Sequence, residues 1–383
     1  MGSTTRMFLV VCIVVIVTAG IYIIYFWSPY LIHTNQNSIN DGAVEDTGHN
    51  IETYSNQTFI DDMNITSIRP ENLTEFEQEL DHDNATKDSA ITRIEYFGVW
   101  EEVDDYLYIL QNIDLEEIGE TEFDLVIIDY SREGDDETRF TRDEIGLLQN
   151  STGGKLVLAY VSIGEAETYR WYWESHWDQD GDGTPNTSAP VWLGPSNPEW
   201  PENYKVRYWE QGWKNLVFRY LDMVIDAGFD GVYLDIIDAY EYWSPGGESG
   251  LNRSTAKREM IEFVLQIAKY TRQTGNNSEF GVFPQNGEAL SIHRDYLEAV
   301  TGIGKEDTWY DGNDLQPGNY TEETIIHLDR FRDAGKLVLV IDYPEAPEKI
   351  QDFYIKAQSH GYIPYVSNRE LDTITLEDGF IPD

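Results

Sequence analysis

From residue 91 onward the apolar residues come in short runs separated by amphipathic stretches. Eight runs stand out: Glu95–Trp100, Leu125–Ser131, Leu156–Ile163, Gly231–Asp235, Phe280–Pro284, Gly302–Glu306, Leu337–Asp342 and Tyr362–Ser367. Each is short, rich in β-branched or aromatic residues, and bounded by polar or turn residues, as buried strands are. Between most of them apolar residues recur at helical spacing. Glu101–Ile118, Thr141–Gln149, Trp209–Ala227, Ser254–Thr274, Thr321–Ala334 and Ala346–His360 are the clearest helices. Gly228, Gly335 and Gly361 close three of these, as C-terminal caps do. Strand–helix alternation on this scale predicts an α/β fold, a (β/α)8 TIM barrel over residues 91–383. A doubly wound sheet is the alternative. It normally carries a glycine-rich fingerprint after its first strand, and Glu101-Glu102-Val103-Asp104 supplies none.

The first ninety residues follow neither pattern. Phe8–Phe26 runs for 19 residues without a charge, about the length a bilayer core requires. Arg6 precedes it and acids dominate after it, which leaves the N-terminus in the cytoplasm and the rest outside. A cleaved signal peptide competes. The run is long for one, and its small-residue cluster, Thr18-Ala19-Gly20, lies within it. Residues 1–30 are therefore read as a transmembrane signal-anchor helix, single-pass in the cell membrane, with the bulk of the chain extracellular. Residues 31–90 hold 13 acids against Arg69 and Lys87, and show no sustained period. Such a segment cannot bury enough apolar surface to fold alone and reads as a disordered stalk. It carries sequons at Asn56, Asn64, Asn72 and Asn84, and five more follow at Asn150, Asn186, Asn252, Asn276 and Asn319. The set fits a glycosylated exterior protein.

Charge narrows the partners. The 383 residues include 26 Lys and Arg against 70 Asp and Glu, a net charge of -44. That balance repels phosphates, so nucleic acid is not an expected partner. Cys12 is the single cysteine, which excludes an internal disulfide framework and a cysteine-based zinc site.

A barrel gathers its chemistry at the C-terminal ends of its strands. Those ends carry Asp129-Tyr130, Glu165, Asp235 with Asp238 beyond it, Gln285-Asn286 with Glu288, Glu306, and Asp342-Tyr343. Turn formation alone explains Asp and Asn here, and an Asp there also starts a loop or caps a helix. It does not explain the recurrent Glu. Several carboxyls and no histidine point to acid–base work on a neutral or cationic molecule. Glycoside hydrolysis needs two carboxyls, one protonated and one ionised, and a ring of acids raises one pKa while leaving another low.

A metal competes for part of this acid. Asp178, Asp180 and Asp182 followed by Gly183 match the opening of a Ca2+ loop. The twelfth position is Ala189, where the bidentate Glu belongs. A structural Ca2+ or a solvated turn both fit, and no cofactor is required. The seven histidines form no zinc motif. Trp171, Trp173, Trp177, Trp192 and Trp200 crowd the long insertion after the third strand, either to stack on sugars or to form a satellite core.

Five stretches in order, YVSIGEAE, NPEWPENYKVRYWEQGW, AGFDGVYLDIIDAYEYW, FPQNGE and GIGKEDTWY, resemble glycoside hydrolase family 114 over roughly residues 93–370. The resemblance implies a TIM-barrel hydrolase of a polysaccharide, an endo-α-1,4-polygalactosaminidase acting on α-1,4-linked galactosamine. It implies a catalytic pair, Asp235 as nucleophile and Glu288 as general acid/base. Asp129, Tyr130, Glu165, Asp238, Gln285, Asn286, Glu306, Asp342 and Tyr343 are then expected to bind substrate. A prokaryotic branch of the family is labelled cysteinyl-tRNA synthetase-related; no HIGH or KMSKS motif supports that label here. A non-catalytic carbohydrate-binding protein on the same barrel is the competing reading.

Overall fold

The computed structural model describes residues 98–377 with 379, 380 and 382, and the backbone alone of Cys12–Val17 and Gly20–Tyr25. Eight parallel strands organise the larger part: β1 (Tyr106–Tyr108), β2 (Leu125–Asp129), β3 (Leu156–Ser162), β4 (Gly231–Asp235), β5 (Gly281–Pro284), β6 (Gly302–Glu306), β7 (Leu337–Asp342) and β8 (Ile363–Val366). β1 to β5 pair in sequence, as do β6 to β8. A parallel bridge between Gln285 and Gly304 joins β5 to β6. Asn286 N donates to Gly304 O at 2.8 Å beside it. β8 returns beside β1, where the rings of Tyr365 and Tyr106 lie 5.6 Å apart. The ring of strands is closed, as in a TIM barrel.

Helices return the chain between strands: α1 (Leu115–Gly119), α2 (Arg142–Gln149), α3 (Gln211–Ala227), α4 (Ala239–Trp243), α5 (Ala256–Thr274), α6 (Arg294–Ala299), α7 (Gly318–Asp333) and α8 (Pro347–His360). Thr141 and Glu144 form a capping box on α2. Gly228 and Gly361 adopt left-handed conformations at the ends of α3 and α8.

Three expectations change. The first strand is Tyr106–Tyr108, whereas Trp100–Glu102 is a single 3-10 turn and only Leu115–Gly119 of the expected first helix is α-helical. Tyr106-Leu107-Tyr108 is buried on both faces, which a strand between two neighbours achieves and an amphipathic helix does not. Trp100 instead packs on Phe283, with ring centroids 5.2 Å apart, and its Nε1 donates to Glu279 O at 2.8 Å. Secondly, the span expected at Phe8–Phe26 is described only in the backbone of Cys12–Val17 and Gly20–Tyr25. The backbone described within it is an antiparallel pair of strands, not a helix, in segments dominated by β-branched Val and Ile. Among the described residues no helix is long and apolar enough to cross a membrane. The stalk, 31–90, lies outside the described residues. Thirdly, the insertion after β3 builds its own antiparallel sheet from Glu165–Glu167, Leu193–Ser196 and Asn203–Val206. Trp177 and Trp192 are buried beneath it and pack edge to face at 5.3 Å, while Trp200 is exposed. These two tryptophans form the satellite core.

Inside the barrel, Tyr108, Tyr160 and Tyr233 are buried below the carboxyl ends, with Tyr108 and Tyr233 at 5.1 Å. Gly304 on β6 makes room for Tyr233: a Cβ there meets Tyr233 Oη at 1.8 Å. Gly304→Ala is therefore expected to cost about 3 kcal/mol by overpacking. Gly318→Ala, whose Cβ meets nothing within 4 Å, is the control. Urea unfolding midpoints measure both, and equal midpoints contradict this packing.

Candidate active site

Strand alternation sets the inward face. Tyr233 and Asp235 share one face of β4, and Gly304 and Glu306 share one face of β6. Gly304 packs against Tyr233, so Asp235 and Glu306 emerge on the next layer up, above the tyrosines. Asp235 Oδ2 accepts from Tyr160 Oη at 2.7 Å, and its Oδ1 from Ile236 N at 2.7 Å. Burial holds the Asp235 carboxyl well above the usual carboxylate range. The negative charge of Glu306 is the next largest cause, and the bonds from Tyr160 and Ile236 oppose it. Glu306, not Glu288, is thus the acid Asp235 feels most strongly.

Both oxygens of Glu306 are held. Oε1 accepts from Tyr343 Oη at 2.5 Å, and Oε2 from Asn286 Nδ2 at 3.1 Å. Gln285 lies beside them, its Oε1 accepting from Tyr108 Oη at 3.1 Å. Asp238 stands at the mouth with an exposed side chain, in ground still crowded by protein. Local desolvation first, then Glu241, Glu306 and Glu288, push it up to about 6, against the pull of Lys305.

Glu288 departs from its expected place. Asn286 and Gly287 both take left-handed backbone conformations, φ 61° and 64°, and turn the chain away from the strand axis. Glu288 then opens a 3-10 helix. Its carboxyl lies 3.9 Å from Lys305 Nζ and accepts from Thr324 Oγ1 at 3.5 Å.

Four expected substrate residues have protein partners in the walls of the barrel. Asp342 is fully buried and accepts from the backbone N–H groups of Thr308, Trp309 and Tyr310 at 2.8, 2.9 and 2.8 Å, anchoring the loop after β6. Asp129 is paired on both oxygens with the buried Arg170, at 2.9 and 2.8 Å, and Arg170 Nε donates to Glu167 at 2.6 Å. Tyr130 Oη donates to Gly134 O at 3.4 Å within its own loop. Glu165 is buried and accepts from Lys205 Nζ at 3.2 Å and Asn197 Nδ2 at 3.0 Å. Each of these three carboxyls is buried and already engaged by protein donors. Glu165 Oε2 alone among these makes no hydrogen bond.

Sequence reasoning gave no role to Tyr160, Ile236 or Lys305. Ile236 has φ 59°, a strained conformation for a β-branched residue. Its carbonyl is admitted by Gly164, where a Cβ meets Ile236 O at 2.2 Å. The parity of Gly302, Gly304 and Glu306 along β6 was the signal that places Glu306 inside the barrel. Asp178, Asp180 and Asp182 bring carboxylate oxygens within 4.8 Å of one another. Asp178 already accepts from Gly181 N, Gly183 N and Tyr204 Oη.

A parallel barrel with carboxyls gathered at the carboxyl ends of its strands is an arrangement that hydrolases of glycosidic bonds use. Residues 99–379 match glycoside-hydrolase family GH114, and the chain belongs to that family. An uncharacterised protein of Methanocaldococcus jannaschii is 41% identical over 281 residues, covering 70% of this chain and 77% of that protein. One from Thermotoga maritima is 39% identical over 290 residues, 73% of this chain and 85% of that protein. Among solved structures, the glycoside hydrolase domain of PelA from Pseudomonas aeruginosa is similar at TM-score 0.50 and 18% identity, covering 70% of this chain and 96% of that one. Ega3 of Aspergillus fumigatus, in complex with galactosamine, is similar at TM-score 0.52 and 18% identity, covering 70% and 93%. At such identity the likeness concerns the fold.

Asp342 gives a pH signature. Burial pushes it up to about 7, against the three N–H donors. The folded state then keeps a proton that the unfolded chain releases near 3.8. Stability falls as pH rises through this window, and the contribution is lost above about 7. Asp342→Asn is expected to lower stability by about 2 kcal/mol, through amides left with poorer acceptors. It should also flatten the decline between pH 4 and pH 7. Chemical denaturation across that range checks both, and parallel wild-type and variant curves contradict the buried-proton account.

Proposed function

We propose that this chain cleaves a galactosamine-containing polysaccharide between Asp235 and Glu306. Family membership makes it a glycoside hydrolase in kind. The observation that carries the finer reading is that Asp235 and Glu306 stand on the inward faces of β4 and β6, above a layer of buried tyrosines. Two like charges in one site do not both ionise readily, and burial first, then the charge of Glu306, hold the Asp235 carboxyl above the usual carboxylate range. One carboxyl protonates the leaving oxygen and the other faces the positive charge that develops on the sugar ring. Asp235 is the second of these. Bonds from Tyr160 and Ile236 fix its oxygens, and a positive charge developing beside it favours its ionised form against the effect of burial. Glu306, with Tyr343 and Asn286 on its oxygens, is the acid/base.

The galactosamine preference is supported by the galactosamine bound to Ega3 and by this chain's net charge of -44, which draws a cationic polymer at low salt and less so at high salt. Asp238 at the mouth suits an ammonium group. The exterior, membrane-anchored placement rests on Phe8–Phe26 and the sequons alone. A structural Ca2+ on Asp178, Asp180 and Asp182 belongs to the same reading, away from the chemistry.

The test uses α-1,4-linked galactosamine oligosaccharides with the wild type, Asp235→Asn and Glu306→Gln. Each variant is expected to lose about a thousandfold or more in kcat, the scale of a missing acid or base. Either one retaining kcat within tenfold of the wild type sinks the pair. Binding without cleavage by the wild type makes the chain a sugar-binding protein instead.

A further inference from the structure

Asn286 stands between two groups of opposite sign. Its Oδ1 accepts from Lys305 Nζ at 3.1 Å and from Glu306 N at 3.3 Å. Its Nδ2 donates to Glu306 Oε2 at 3.1 Å. A side-chain amide has one accepting end and one donating end. Turned over, it sets NH2 against an ammonium and a carbonyl oxygen against a carboxylate, and all three bonds are lost. The ammonium of Lys305 and the N–H of Glu306 therefore together decide which end the Glu306 carboxyl meets, and the ammonium is the charged and closer of the two. Lys305 and Glu306 are adjacent on β6 and point to opposite faces of the strand. The loop after β5 carries Asn286 across the end of β6 to join them, at a left-handed position that Asn tolerates.

Lys305 is itself fixed. It is buried, donates to Tyr320 Oη of α7 at 3.1 Å, and has Glu288 at 3.9 Å. Glu306 from its own strand and Asp238 from the loop after β4 complete the charged groups around it. A buried ammonium is stable only when paired, and Glu288 supplies the pairing charge. The carboxyl that resemblance made an acid/base catalyst is thus placed as a counter-ion.

We infer that Lys305, with Glu288 as its counter-ion, is a positioning residue that locks the amide of Asn286 and through it the carboxyl of Glu306. The inference rests on Asp235 and Glu306 being the reacting pair for its kinetic consequence, though not for its structural one.

Two readouts separate these. In a crystal structure of Lys305→Met, the Asn286 side chain is expected to be displaced and the Glu306 carboxyl out of hydrogen-bond reach of Nδ2. With galactosamine oligosaccharides, Lys305→Met should lower kcat by roughly 10- to 100-fold while KM stays within about threefold, since an orientation is lost and not a sugar contact. Added to Asn286→Ala, it should do little more, because the two act in one chain. Glu288→Gln keeps the ammonium and is expected to cost less than about tenfold in kcat, far below the loss of a proton donor. If Lys305→Met fails to fold, Asn286→Asp takes its place: it still accepts from Lys305 but sets a carboxylate against Glu306, and Glu306 should turn away in its crystal structure. The inference is overturned if Asn286 and Glu306 keep their wild-type positions in these structures, or if Glu288→Gln loses a thousandfold. A wild type that cleaves no galactosamine polymer defeats the proposed function and leaves the structural readout to decide this one.

Discussion

Exclusion of water around Asp235 is the constraint on which the rest of the site depends. Tyr108, Tyr160 and Tyr233 fill the barrel beneath it, and Gly304 exists at its position so that Tyr233 can reach across. A carboxyl half-buried above such a layer loses part of its hydration, so neighbouring charges act on it more strongly than they would in open water. That is why Glu306 matters so much to Asp235, and why hydrogen bonds from Tyr160 and Ile236 are needed to aim it. The strained backbone at Ile236 follows from the same need, since its N–H is aimed back at Asp235.

The remaining acids at the strand ends serve this arrangement from behind. Asp342 gathers three consecutive backbone amides and so shapes the loop that follows Glu306. Asp129 and Glu167 enclose Arg170 and pin the insertion after β3 to the barrel. Removing one member of such a buried cluster leaves an uncompensated charge, which is costly by about 3–5 kcal/mol. Architecture thus consumes acids that look, in a list of strand ends, like substrate ligands.

Most of the barrel was legible because burial on both faces leaves continuous apolar runs, and because Gly228 and Gly361 end helices where only left-handed backbone fits. Tyr106-Leu107-Tyr108 was hidden inside a stretch whose flanking acids mimic a helix start. Asp235 was legible because it breaks an apolar run at a strand end. The place of Glu288 beside Lys305 was not legible, because linear distance from β5 says nothing of the two left-handed residues between them. Glu306 follows its strand directly, and parity with Gly304 places it inside. Whether an acid meets ligand or protein depends on partners far away in sequence, such as Arg170 for Asp129, and no local pattern carries that.

The account stands most directly on which two carboxyls flank the sugar. A crystal structure of this protein with galactosamine bound measures it. The account predicts the sugar between Asp235 and Glu306, with carboxyls separated by about 5–9.5 Å, the range of glycosidase pairs. A sugar held between Asp235 and Glu288, with Glu306 turned from the ring, contradicts it.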